Sequence, residues 1–153
     1  MPLNTAWIGR TFPSSAPYEV SREKIREFAD AIGDTNPAYR DADAARALGH
    51  PDVIAPPTFA IVASMRTTGA VVFDPDLGLD YSRVVHGEQH FVHHRPIRAG
   101  DVLVVTPTVR DIRAAGRNEL MTIDSDITTV DGEAVCRATN TLVSRGTAAP
   151  AAS

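Results

Sequence analysis

The chain has 153 residues, enough to bury one core without disulfides or metals and too few for two comfortable domains. Its hydrophobic fraction of 43% and charged fraction of 22% are ordinary for a globular protein, and 15 basic against 19 acidic residues leave a net charge of −4. Scattered arginines without a basic run argue against nucleic acid as a partner, and the lack of any long apolar run argues against a membrane span.

The opening segment, MPLNTAWIGRTFP, carries no charged stretch followed by an apolar one of signal-peptide length, so the expected location is the cytoplasm. Ser21 is a suitable N-cap for SREKIREFADAIG. There Ile25, Phe28, Ala29 and Ile32 recur at helical spacing and Gly33 is placed to end the helix, which predicts an amphipathic helix with one buried face. A second short helix is expected from Asp41 as N-cap through Ala44, Ala45 and Leu48, stopping at Gly49. Between them GDTNPAYRDADAA forms a loop. Its Asp34 and Asn36 are suited to Asx-type turns and caps, and equally to a functional role.

Residues 56–73, PPTFAIVASMRTTGAVVF, are apolar nearly all round, with Arg66 the one charge, and a helix of this kind has to be wrapped. From Arg83 onward the period changes to two. Val102, Val104 and Thr106 alternate with Leu103, Val105 and Pro107; Met121, Ile123, Ser125 and Ile127 share one face; Ala134, Cys136, Ala138, Asn140 and Leu142 share another. Asp131-Gly132 reads as the strongest hairpin signal and AAGRN, residues 114–118, as a looser turn. Cys136, the sole cysteine, admits no intrachain disulfide and is expected as a small buried side chain rather than a nucleophile. There is no internal repeat. The tail from residue 147 to 153 has too little apolar bulk to order itself, so the domain is set at residues 1–146.

An apolar helix followed by four long antiparallel strands predicts an α+β fold in which the sheet curls around the helix. The open edges of such a sheet favour a dimer. The segment HGEQHFVHH holds four histidines, but on a straight strand His86, His90 and His94 share a face at spacings of ~13 Å, too far apart to share one metal ion. No metal and no cofactor is expected.

Three segments, GDTNPAYRDADAA, HPDVIAPPTF and VVHGEQHFVHHRPIRAGDVL, resemble in order the motif, helix start and strand pair of the MaoC-like hydratase/dehydratase family, which has the hot-dog fold. Within it the chain is most similar to actinobacterial (3R)-hydroxyacyl-ACP dehydratase subunits with an FAS1-like dehydratase N-terminal domain. The resemblance covers roughly residues 5–145. It implies an acyl-CoA or acyl-ACP thioester as substrate and a catalytic dyad of Asp and His in G-D-x-N-P-x-H. Asp34, Asn36 and Pro37 match, while Tyr39 takes the place of the histidine.

Histidine exchanges protons near neutrality, whereas a tyrosine of ordinary pKa ~10 would need a shift of about three units, or ~4 kcal/mol, to do so. The catalytic candidates are therefore Asp34 and Tyr39, with the dyad half present. Substrate contacts implied by the resemblance are Asn36, Thr58, Phe59, His86, Gly87 and Gln89, with Thr58 or the Gly87 region supplying donors to the thioester carbonyl. Arg95, Arg98, Arg113 and Arg117 are available to an acidic carrier protein. Three readings follow: a dehydratase/hydratase subunit whose partner hot-dog chain carries the complete motif, a non-catalytic acyl-thioester-binding homodimer, and a self-sufficient hydratase using Asp34.

Overall fold

In the computed structural model, which describes residues 2–150, the first long helix begins where Ser21 Oγ accepts the Lys24 amide at 3.1 Å. This helix, α1 (Arg22–Ala31), buries Ile25 and Ala29 and sets Phe28 edge-on to Phe59 at a centroid distance of 5.4 Å. Ile32 departs from the expected inner face. The helix ends one residue earlier, so Ile32 is the C-cap and is half exposed, and Gly33 makes the turn at φ +71°. The second helix, α2 (Ala42–Ala47), starts as expected at Asp41, whose carboxylate accepts the amides of Asp43 and Ala44.

The apolar segment enters through a tight helical turn, Pro57–Phe59, and continues as α3 (Ala60–Val72). Two prolines in succession fix φ and remove two donors, so the ordinary α-helical ladder takes hold only after them. Phe59, Ala60, Ala63 and Val71 are fully buried, as a wrapped helix requires. The wrapping is incomplete, however: Met65 and Phe73 are 66% and 65% exposed, so one face of α3 lies outside the sheet's curl.

The sheet comprises β1 (Tyr18–Glu19), β2 (Val84–His93), β3 (Val102–Ala115), β4 (Asn118–Thr129) and β5 (Ala134–Ser144), in the spatial order β1-β3-β4-β5-β2, with every pair antiparallel. This is the hot-dog arrangement, a curled sheet around a central helix. The two-residue β1 has no alternation to reveal it in sequence. Inward positions of β3, β4 and β5 interleave with α3: Val105, Ile127 and Cys136 with Phe59 and Ala63 near its start, and Val109, Met121 and Ile123 with Val71 near its end.

The two turn expectations exchange roles. Ala115 pairs directly with Asn118, leaving a two-residue loop in which Gly116 adopts φ +62°, whereas Asp131-Gly132 lies in the longer connection between Thr129 and Ala134. Glycine at the first central position suits the tightest hairpins, which explains why AAGRN makes the sharper turn. At the other end of the chain, the segment expected to lack order starts docked: Thr147 is buried and donates to the Ser144 carbonyl, and the Ala148 amide reaches Arg117 O at 3.2 Å. Residues 151–153 of that tail lie outside the described residues.

The two sheet edges are treated differently. The outer side of β3 is covered by β1 and by the N-terminal segment, through Phe12 N to Pro107 O at 2.9 Å and Ser15 N to Val105 O at 2.8 Å. By contrast, β2 pairs with β5 alone among the described residues, leaving a ten-residue edge that carries exposed Val85 and Val92. Such an edge invites another strand.

Arg95 holds the connection after β2. Its guanidinium donates to Asp101 at 2.9 and 3.0 Å and to Glu133 at 2.7 and 3.2 Å, and Asp101 also accepts the Arg98 amide. It is therefore committed to internal ion pairs and is not available to a carrier protein, while Glu133 is held below the usual carboxylate range by hydrogen bonding to Arg95. Removing one member of a buried pair strands the other. Asp101→Ala is expected to cost about 3 kcal/mol in urea unfolding, clearly more than Glu133→Ala, whose side chain is half exposed.

Candidate active site

Two consecutive side-chain turns build the GDTNPAY loop. Asp34 Oδ1 accepts the Asn36 amide at 3.1 Å, and Asn36 Oδ1 accepts the Ala38 amide at 3.0 Å, winding Pro37–Tyr39 into one tight helical turn. The Asp34 amide donates to Ala29 O at 2.9 Å, which fastens the loop to the end of α1. Arg40 bonds to the Asp30 carboxylate and to the Asp34 carbonyl, so it serves as a clamp on the loop. The Asx-turn role of Asp34 and Asn36 is thus realised.

Tyr39 is 8% exposed and belongs to the same core cluster as Ile25, Val53, Ala55 and Phe59. Burial raises its pKa above the ordinary phenol value and the negative charge of Asp34 raises it further, while a hydrogen bond with the Asn36 side chain opposes them more weakly. The shift runs opposite to the one a general base would need near neutrality. At pH 7 this group is a phenol that can donate a hydrogen bond but takes up no proton.

The start of α3 lies beside this loop through Phe59, which is fully buried against Phe28, while Thr58 is exposed. The Phe59 amide at this start donates to Pro56 O at 2.9 Å. His93, one of the four histidines of HGEQHFVHH, sets Nε2 at 2.8 Å from Pro57 O and joins β2 to the helix start.

A cavity of about 340 Å³ opens between α3 and strands β2, β4 and β5. It is walled mainly by apolar side chains, among them Ile61, Val72, Ala138 and Leu142, and both His86 and Gln89 line it. Their shared orientation is not what a straight strand allows, since residues three apart on such a strand face opposite ways. Pairing slips at Gly87: His86 opposes Leu142, Glu88 opposes Thr141 and Gln89 opposes Asn140, which is a β-bulge. Gly87 is required there because a Cβ would stand 2.9 Å from Val143 Cγ2 and 3.3 Å from Thr141 O.

The bulge corrects the period-two reading of HGEQHFVHH. His86, Gln89, Phe91 and His93 face the helix, while His90, opposite Thr139, points away and does not share a face with His86. Sequence reasoning also missed Ser125 and Asn140 as site residues, although both were placed on inward strand faces; a polar residue in an otherwise apolar inward series was the available signal. An aromatic pair, Phe73 and Tyr81 with centroids 5.0 Å apart, borders the same cavity. Cys136 is buried, with its thiol pushed up to about 11, and so is poorly suited to nucleophilic work.

The candidate residues therefore fall into two groups. Asp34, Asn36 and Tyr39 lie together on the loop, and His86 and Gln89 lie together in the cavity, but none of the first group and not Thr58 lines the cavity. Two measurements check this geometry. Because the folded pKa of Tyr39 is raised, its contribution to stability is complete below pH ~10 and is lost as pH rises through the folded pKa; ultraviolet titration should show one tyrosine ionising late, absent in Tyr39→Phe. Gly87→Ala should destabilise the fold by about 1–3 kcal/mol, against under ~0.5 kcal/mol for an exposed substitution such as His90→Ala.

Comparison with known proteins agrees with this architecture. The family model described as "FAS1-like, dehydratase domain region" matches residues 6–138. A UPF0336 protein of Saccharopolyspora erythraea is 60% identical over 97% of this chain and 95% of its own length, and one of Streptomyces coelicolor is 54% identical over 95% and 97%. Among solved structures, a MaoC-like dehydratase superposes with a TM-score of 0.85 at 34% identity, covering 92% of this chain and 42% of that longer one. The HadBC (3R-hydroxyacyl-ACP dehydratase) complex of Mycobacterium tuberculosis gives a TM-score of 0.78 at 27% identity, covering 89% of this chain and 96% of that one.

Proposed function

This chain belongs to the FAS1-like dehydratase domain family, and from that premise we propose that it is one subunit of a (3R)-hydroxyacyl-thioester dehydratase, or 2-enoyl-thioester hydratase, in fatty-acid-type metabolism. In this reading the cavity beside α3 accepts the acyl chain of a CoA or ACP thioester, and a partner hot-dog chain carrying the complete G-D-x-N-P-x-H supplies the proton-transfer dyad. The observation that carries it is the state of Tyr39: buried, with its phenol raised further from neutrality, where the chemistry calls for an imidazole.

The reaction explains the requirement. Loss of water from a 3-hydroxyacyl thioester removes a proton from C2 and delivers one to the departing C3 oxygen, while the thioester carbonyl oxygen gathers negative charge. One group that both accepts and donates near pH 7 serves these steps, and this chain's loop has none at position 39. What it does offer is a cavity with mostly apolar walls and a β2 edge, unpaired among the described residues, on which a second sheet can continue. The heteromeric HadBC complex, similar to this chain in structure, lends support to such a pairing.

The test is to assay the chain alone and co-expressed with a MaoC-like chain bearing the full motif, on enoyl-CoA substrates. Hydration by the mixture should exceed that of the lone chain by at least ~100-fold, and replacing the partner's dyad histidine should abolish it, whereas Tyr39→Phe in this chain should leave it within about twofold. Full turnover by the lone chain, dependent on Asp34, would establish a self-sufficient hydratase and refute the subunit reading. Thioester binding without turnover in any combination would favour a non-catalytic homodimer.

A further inference from the structure

Gly69 stands inside α3 without a backbone reason for being glycine. Its φ is not positive, and a Cβ placed there would meet only the Phe73 ring, at 3.6 and 3.7 Å, which is ordinary contact. In a helix interior glycine is the least favourable residue after proline, so this position gives up helix stability for something else. It lines the cavity, where any side chain would take up part of the space. Just beyond it, at the end of α3, the cavity is bounded by hydrocarbon and aromatic rings: Val72, Val84 and Leu142 with Phe73 and Tyr81. Those two rings are 65% and 59% exposed and belong to neither core cluster. Their main chain is nonetheless fixed. The Phe73 amide donates to Gly69 O at 3.0 Å, Leu77, between them in the chain, is fully buried, and Asp80 caps the tight turn Tyr81–Arg83 by accepting the Ser82 amide at 3.1 Å. No Asp, Glu, Lys or Arg lines the cavity among the described residues, so its space suits an uncharged occupant.

We propose that Gly69 and the Phe73–Tyr81 pair set the longest acyl chain that the cavity holds, at about ten carbons. With ~30 Å³ for each methylene, close to a water's share of the liquid, a cavity of about 340 Å³ is filled by roughly that number. Gly69 keeps the depth open, and the two rings stop the methyl end. Each methylene buried ahead of the stop tightens binding about fourfold. Carbons beyond the stop lie in water and add nothing. This inference deepens the acyl-binding reading and rests on it for its ligand, but not on the partner's dyad.

Calorimetric titration of the lone chain, and of its complex with the partner chain, with saturated acyl-CoAs from butanoyl to octadecanoyl tests it. In the wild type, affinity should climb about fourfold per methylene and level off at about ten carbons. Phe73→Ala removes the stop and should carry the climb on by at least ~2 carbons. Gly69→Leu fills the depth and should end the climb about four carbons sooner, roughly one for each side-chain carbon inserted into a close-packed space. Gly69→Ala should end it about one carbon sooner while raising the unfolding midpoint by about 2–4 °C, which shows that a side chain at this position leaves the fold intact. A climb that runs unbroken to octadecanoyl-CoA in the wild type, a limit that moves in neither Phe73→Ala nor the Gly69 variants, or no binding in either preparation would overturn the proposal. So would loss of partner association in Phe73→Ala with the limit unmoved, which would make the rim an interface contact. A limit that moves as expected while no combination dehydrates leaves this inference standing and refutes the subunit reading; dehydration without a limit does the reverse.

Discussion

An apolar helix cannot stand in water, and enclosing α3 is the constraint from which the rest of this structure follows. Phe59, Ala60, Ala63 and Val71 lose all exposure because three long strands curl over them. Alanines on the enclosed face let the sheet approach closely, and the strands answer with Val105, Ile123 and Ile127. At ~25 cal/mol per Å² of apolar area removed from water, enclosing these side chains favours the fold. The remaining face of α3 is left to the cavity and to exposed Met65 and Phe73. The same element thus contributes to both core clusters and lines the candidate binding space.

The strand that closes the curl, β2, is where local irregularity has the most consequence. A regular strand would send His86 and Gln89 to opposite faces. The extra residue at Gly87 brings both inward, and the missing Cβ is what permits the close passage past Val143 and Thr141. Beyond the bulge the regular period resumes, so that Phe91 meets the core and His93 reaches the helix start. One glycine therefore sets the chemistry of the cavity wall without touching anything in it.

The loop before α2 is shaped by its own side chains. Asp34 and Asn36 form the turns that their residue types favour, and those turns give the segment its path whether position 39 is an imidazole or a phenol. The phenol there is buried among Ile25, Val53 and Phe59, where it adds packing to the core and its pKa is raised. The hot-dog fold and the match to the family are found with a phenol at this position.

What the sequence determined by itself was whatever depends on near neighbours along the chain. Ser21 and Asp41 were legible as caps because a cap bonds to an amide two or three residues on. The inward face of β4 was legible because alternation is a local property, and the Tyr39 substitution because it breaks a contiguous motif. The covered edge of β3 and the anchoring of Arg95 between Asp101 and Glu133 were decided by contacts between distant segments. The same is true of the face that Gln89 presents: a bulge is a mismatch between two strands, and no single strand carries the information that its partner is one residue short.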